Sequence, residues 1–420
     1  MNVRSRSAAA LAAIAVLGAA AAPAVAAGPS PSASAALPAG LYGTTDPQYD
    51  GVWRQSLALL AQHTVGVVPS TAAVDWLTGQ QCADGAFAPY RADTAKPCDA
   101  KTMVDTNSTA AAVQALSALG GRGDVVEDAL AWLKSVQNKD GGWGYNPGSP
   151  SDANSTSVVI GALAATGTEP EQVTKDGKSP YDALLTFALP CGEGEGAGAF
   201  AYQPGKDGKL AANDDATAAG VLGALGKGLV AGPGKAAGGG ATCSGADRPT
   251  REQAAANGAA HLARAVAEDG HLTSVLAGAD PQPDYGNTAD AVVALAAQGG
   301  ADSAAKPLAW LEKNAVAWAK QSGPAAYAQL VLAAHATGTD PRAFGGTDLV
   351  ERLNATGPAP KGAQVGDRAE KDGKDGKDGK NAEEKKDDSG FGVWWFVGVC
   401  LVFGIGIGFL LSGRNRKRQP

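Results

Sequence analysis

The sequence predicts an all-α toroid built from repeated helix pairs, followed by a single C-terminal transmembrane helix. Three observations carry this prediction. A unit that opens on acidic, amide and hydroxyl residues, continues with Ala, Val and Leu at helical spacing and stops at Gly recurs along the chain. The hydrophobic content of 44% comes mainly from Ala, with aromatics at only 6%, which favours close-packed helices over a sandwich rich in Val, Ile and Tyr. Residues 391–411 carry no charge and are long enough to cross about 30 Å of hydrocarbon as a helix.

Taken from the N-terminus, residues 1–26 contain Arg4 and Arg6, an apolar run from Ala8 and the small-residue site Ala24-Val25-Ala26. Those are the three parts of a secretory signal peptide, so they are set apart from the fold, with residues 27–39 as a linker. The toroid is expected over residues 40–357. Its repeat is read from DTNSTAAAVQALSALG at Asp105, DANSTSVVIGALAATG at Asp152, NDDATAAGVLGALGKG at Asn213 and DYGNTADAVVALAAQG at Asp284. Each carries an N-cap in front and a terminating glycine behind. The cap threonine recurs as Thr109, Thr156, Thr217 and Thr288.

A second helix follows each of these and ends in a Gly-aromatic turn. WLTGQQCADGAF from Trp76 and WLKSVQNKDGGW from Trp132 match position for position, with degraded copies at Gly198 with Phe200 and at Leu262, Gly270 and Leu272. DGVWRQSLALLAQ from Asp50 supplies a first unit and GPAAYAQLVLAAHATG from Gly323 a sixth, with partner helices near residues 70–81 and 345–355. Neither helix of a pair buries its apolar face alone, so neighbouring pairs must stack. The first helices of the pairs are apolar around much of their circumference, which suits an inner ring covered on both sides and favours closure.

Beyond the repeats, residues 358–390 interleave both charge signs with almost no apolar side chain and read as a solvated stalk. Its Lys-Asp-Gly repeats lack the closing Glu of a calcium loop. The span at 391–411 is followed by Arg414, Arg416, Lys417 and Arg418 in a cytoplasmic tail, residues 412–420. Positive charge stays inside, so the expected location is the cell membrane, single-pass, with the toroid extracellular. Cys82, Cys98, Cys191 and Cys243 fall in the exported part and suit disulfides, whereas Cys400 lies in the span. Pairing of nearest neighbours would staple two long loops, one of the three connectivities that four cysteines allow. No CxxC or HxxxH spacing accompanies the cysteines, and the formal net charge of -7 argues against a nucleic-acid partner.

Trp132, Leu133, Gln137, Gly141 and Trp143, repeated as Trp76, Leu77, Gln81, Gly85 and Phe87, resemble the QW repeat of the terpenoid cyclase and protein prenyltransferase superfamily. The resemblance implies six inner and six outer helices around a central cavity. The Asp-x-Asn-Ser-Thr helix starts are similar to those of exported bacterial proteins of the same fold group, related to the vitamin B12 carriers, which implies cobalamin as a conceivable ligand and no other cofactor. Two departures bear on catalysis. The Asp-x-Asp-Asp acid of squalene-type cyclases meets Ala212-Asn213-Asp214-Asp215 here, and the Asp, Cys and His zinc set of the prenyltransferases is not found around His63, His261, His271 and His335.

Because the inner helices run parallel, their polar starts are expected at one end of the toroid. Asp105, Asn107, Asp152, Asn154, Asn213, Asp214, Asp215, Asp284 and Asn287, with Tyr285, would then form a binding rim. The plainer reading makes them N-caps worth about 1 kcal/mol each. Asp214 and Asp215 are explained least by capping and are the candidates for acid chemistry. Asn107, Asn154 and Asn354 also fit glycosylation sequons, the first two within cap motifs. Trp76, Trp132 and Trp143 are expected to pack between outer helices, and Gln81 and Gln137 to tie neighbouring repeats together.

The sequence thus favours a cell-surface, membrane-anchored module that binds a small molecule or glycan for delivery to a membrane transporter. An enzyme using acids at the cavity mouth, cyclase-like or polysaccharide-active, comes second. A structural envelope protein comes third.

Overall fold

The computed structural model describes residues 38–192, 194, 196–235, 242–245, 249–274 and 280–362. The segments expected as signal peptide, as the 391–411 span with Cys400, as the basic tail and as the stalk from residue 363 lie outside the described residues. Among the described residues, no helix is long and apolar enough to cross a membrane.

Among the described residues, twelve α-helices alternate between two rings. The inner ring holds α1 (Gly51–Thr64), α3 (Thr106–Leu119), α5 (Ala153–Ala165), α7 (Asp214–Ala224), α9 (Tyr285–Gly299) and α11 (Pro324–Thr337). The outer ring holds α2 (Thr71–Gly79), α4 (Gly123–Ser135), α6 (Pro180–Leu184), α8 (Arg251–Ala265), α10 (Ala305–Ser322) and α12 (Leu349–Asn354). Each inner helix packs on the next, and α11 returns to α1, so the array is a closed α/α toroid. Small side chains make this closure possible: most positions of α3, α5, α9 and α11 are buried, and Ala dominates them.

The recurring cap threonine now has a physical reason. Its hydroxyl accepts the backbone N–H of the preceding Gly-aromatic turn: Phe87 on Thr109 at 2.9 Å, Trp143 on Thr156 at 3.1 Å, Phe200 on Thr217 at 2.9 Å and Leu272 on Thr288 at 3.0 Å. Four outer-to-inner connections, those leading into α3, α5, α7 and α9, are thereby fastened to the start of the next inner helix. The glutamine amides run sideways instead. Gln81 Nε2 donates to Gly85 O at 3.1 Å and across to Val125 O at 2.8 Å, and Gln137 Nε2 does the same with Gly141 O at 2.7 Å and Val173 O at 3.0 Å. Gly85 and Gly141 are required twice over, since each has φ near 90° and a Cβ would lie 2.2 Å from Asp128 O or Ser179 O. Trp143 is buried and its indole donates to Leu133 O at 2.7 Å, so it is a packing residue.

The all-α expectation needs one correction. A short antiparallel hairpin, β1 (Leu272–Ser274) with β2 (Gln282–Asp284), precedes α9, so the domain is mostly rather than wholly helical. The degraded turn at Gly270 continues into β1, which pairs with the residues leading to the α9 cap. Both nearest-neighbour disulfides are present, Cys82–Cys98 and Cys191–Cys243. The chain described extends to Gly362, with Lys361 N donating to Val68 O at 2.9 Å, so the first residues expected in the stalk still lie against the toroid.

Candidate functional site

The N-termini of the inner helices gather at one end of the axis, and four of them carry a polar side-chain cap. Asp105 Oδ1 accepts from Ser108 N at 2.6 Å, Asp152 Oδ1 from Ser155 N at 2.7 Å, Asn213 Oδ1 from Ala216 N at 2.7 Å and Asp284 Oδ1 from Asn287 N at 3.0 Å. A cap side chain folds back over its own first turn, whereas the residue two positions on points toward the axis. That position holds Asn107, Asn154 and Asp215 in three successive inner helices.

A cavity of about 120 Å³ lies along the axis. Asp105, Asn107, Asn154, Asp215, Asp290 and Gln329 supply its polar wall, and Leu57, Val158, Leu222, Val293 and Leu332 its apolar wall, with Trp53 and Tyr145 as aromatic surface. Opposite the acidic end, the segment from Lys227 to Gly234 crosses the axis. Leu229 N donates to Gln114 Oε1 of α3 at 2.8 Å, Gly228 packs on Gly161 of α5, and Gly234 N donates to Ala296 O of α9 at 2.8 Å. Lys227 lines the cavity at this far end and donates to Ala297 O at 3.3 Å; burial lowers its pKa.

The Asp215 and Asp290 carboxyl groups on the cavity wall are each held by an amide. Asn154 Nδ2 donates to Asp215 Oδ2 at 2.5 Å, and Gln329 Nε2 donates to both oxygens of Asp290 at 3.3 Å. Burial pushes Asp290 up to about 7, with Asp215 and Asp284 adding repulsion against the Gln329 bond. Asp215 is pushed up to about 6 by burial, opposed by Asn154 and reinforced by Asp284 and Asp214. Asp105 and Asp152 are likewise raised by burial to about 6, against their hydrogen bonds from the Ser108 and Ser155 regions. Burial, and then the Asp105 carboxylate, hold the Tyr145 phenol above its ordinary range. Asp290 is only half-buried by area, because its free surface faces the cavity.

Of the expected rim, Asp105, Asn107, Asn154 and Asp215 line the cavity, and Asp152, Asn213, Asp214, Asp284, Tyr285 and Asn287 do not. The reason is helical geometry. Asp152 is occupied by Ser155 and Tyr202, Asn287 Nδ2 donates back to Asp284 at 2.8 Å, and Asn213 is spent on its cap. Asp214, one position before the axial one, turns outward to His261 Nε2 of α8 at 2.8 Å. Tyr285 stacks beside Trp310 and Trp318, with ring centroids 5.0 and 5.5 Å away. Asp290, Gln329, Trp53, Tyr145 and Lys227 were not foreseen. Asp290 did leave a signal: it is the only acid beyond the first turn of any inner helix, where capping has no use for it. Among the described residues, no group of three or more His, Cys, Asp or Glu is placed to hold a metal ion.

Residues 52–191 match the model of the prenyltransferase alpha-alpha toroid domain. The likeness to the terpenoid cyclase and prenyltransferase superfamily is thereby shown. A stretch of 53 residues is 42% identical to drimenyl diphosphate synthase of Streptantibioticus cattleyicolor, covering 13% of this chain and 10% of that protein. Among solved structures, the toroid is similar to ent-copalyl diphosphate synthase from Streptomyces platensis at 17% identity and a TM-score of 0.45, covering 69% of this chain and 50% of that one. It is also similar to a type II terpene cyclase from Scytonema at 14% identity and a TM-score of 0.41, covering 68% and 74% of the two chains. The chain therefore spans a tenth and a half of the lengths of the two synthases. The structural likenesses concern the fold alone, which by itself assigns no chemistry.

Proposed function

We propose that the axial cavity is an active site of terpene-cyclase type, in which an apolar small molecule lies along the Leu57, Val158, Leu222, Val293 and Leu332 wall and exchanges a proton with Asp215 and Asp290. The observation that supports this is the carboxyl pair itself: two acids on the wall of a largely apolar cavity, at about 6 and about 7, poised to hold and release a proton near neutral pH. The Asp-x-Asp-Asp arrangement is not reproduced, because the first acid is absent and the second member of the pair comes from α9. The acid function is accordingly divided between two inner helices.

The test is deuterium incorporation. The whole chain in lipid nanodiscs is incubated in D2O with squalene, oxidosqualene or geranylgeraniol, and products are read by mass spectrometry. Cyclised, deuterated product is expected, and Asp215→Asn/Asp290→Asn should abolish it while the fold is retained by circular dichroism. Absence of incorporation from every substrate sinks the reading.

A second reading is capture of a small molecule or glycan outside the cell for a membrane transporter. It is supported by the signal peptide, stalk and apolar C-terminal segment read from the sequence, and by the segment Lys227–Gly234 crossing one end of the axis. Tight binding of cobalamin or a glycan without turnover would favour it.

A further inference from the structure

Five buried polar atoms on residues lining the cavity have no partner: Asp105 Oδ2, Asn107 Oδ1, Asn154 Oδ1 and Gln329 Oε1, which can only accept, and the Ser157 hydroxyl, which can accept or donate. Asp105 and Gln329 are only 1% and 7% exposed, so bulk solvent does not supply one. Two of the amides are held in this orientation by their neighbours. The Asn154 and Gln329 NH2 groups donate to the Asp215 and Asp290 carboxylates. Turning either amide over would set its oxygen against a carboxylate, so the oxygen is the end left facing away from it.

Buried acceptors of this kind are ordinarily paired, and a cluster of them without donors is an imbalance that a ligand can remove. Every unpaired amide and carboxylate atom at this end is an acceptor, and two further carboxylates, Asp215 and Asp290, stand beside them. Lys227 is the one cation on the described wall, and its ammonium donates to Ala297 O at the far end.

We infer that the acidic end of the cavity is a receptor for the ammonium head of an amphiphilic ligand and discriminates against phosphate and diphosphate heads. An ammonium offers three donors and no acceptor, which complements this wall. Trp53 and Tyr145 add aromatic surface of the kind that attracts cations. A phosphate would instead bring acceptors and negative charge against Asp105, Asp215 and Asp290, a repulsion that serves selectivity. The inference rests on the axial cavity being the ligand site, as in the proposed function, but it does not require catalysis.

The experiment uses the full chain in nanodiscs and three water-soluble probes with the same tail: hexylammonium, hexanol and hexyl phosphate. Binding is read by calorimetry and by melting shift. Hexylammonium is expected to bind at least tenfold tighter than hexanol and to raise Tm, hexyl phosphate to show no saturable binding, and Asp215→Asn/Asp290→Asn to erase the amine preference. Equal binding of amine and alcohol, tighter binding of the phosphate, or no saturable binding of any probe overturns the inference. Wild-type head preference alone decides it should the double variant fail to fold. The two proposals fail separately. Deuterated product without amine preference removes only this inference, and amine preference without turnover removes only the catalytic reading.

Discussion

The inner and outer rings begin their helices with the same residue types but use them differently. On the outer ring, Ser179 and Asp182 at α6 and Thr250 and Gln253 at α8 form reciprocal capping boxes, in which each side chain satisfies the other's backbone N–H. At α3 one oxygen of Asp105 does the capping and the other is buried without a donor, and at α7 the cap is Asn213 while Asp215 goes unused by it. A helix start needs one acceptor, and the outer ring supplies about that much. The inner ring supplies more, at atoms buried without a partner. The surplus weakens the free protein, and such a cost is expected where a site is kept ready for a ligand.

The largest expected effect separates the rings by function. Asp215→Asn/Asp290→Asn should lower deuterium incorporation by roughly a hundredfold or more, the usual scale for losing a general acid. The same variant should melt higher than wild type, because it removes two ionisable groups that burial disfavours. Ser179→Ala on the outer ring should do neither. If both variants lower activity equally, the inner acids have no special role.

Next in size is the pH dependence of stability, for which the rings predict opposite signs. Asp105, Asp152 and Asp215, at about 6, and Asp290, at about 7, sit above the value near 4 of an unfolded Asp. Between those values the folded state holds more protons than the unfolded one, so stability falls as pH rises from about 4 to about 7 and levels off above. Asp182 on the outer ring is lowered by its hydrogen bonds from Ser179, backbone first. Its contribution is present above the unfolded value and lost as pH falls through the folded one. Urea midpoints at pH 5 and pH 8 should therefore show a more stable protein at pH 5, and Asp290→Asn should shrink the difference. A protein more stable at pH 8 contradicts the burial of these acids.

The same contrast explains what was legible in the sequence. Caps, terminating glycines and the two full QW turns are local devices, so Asp105, Asp152, Asn213 and Asp284 were readable as helix starts and Gln81 and Gln137 as ties between repeats. Which of the polar residues face the axis depends on rotation of each helix within the ring. Asn107, Asn154 and Asp215 share one register, and Asp214 and Asn287 miss it. Gln329 and Trp53 reach the cavity from α11 and α1, whose starts lack the repeated acid-amide pattern, so nothing local marked them. Asp290 was the exception, an unexplained charge in an apolar helix whose meaning came only with its partner Gln329.

The smallest expected effect is the most direct test of the comparison, because it sets one cap against another. Ser179→Ala removes a self-contained cap and should cost about 1 kcal/mol, read as a lower urea midpoint with no change in amine-probe binding. Asp105→Ala removes a cap of the same strength but also a buried carboxylate with one unpartnered oxygen, raised to about 6. The two consequences oppose each other at pH 7.5, so its urea midpoint should move by less than that of Ser179→Ala, while amine binding weakens. Lowering the pH to 5 protonates Asp105 in the wild type and removes the offset, and Asp105→Ala should then be the more costly of its two measurements. A loss as large as that of Ser179→Ala at both pH values would make Asp105 an ordinary cap, and the distinction between the rings would fail at a buried acid that lines the cavity.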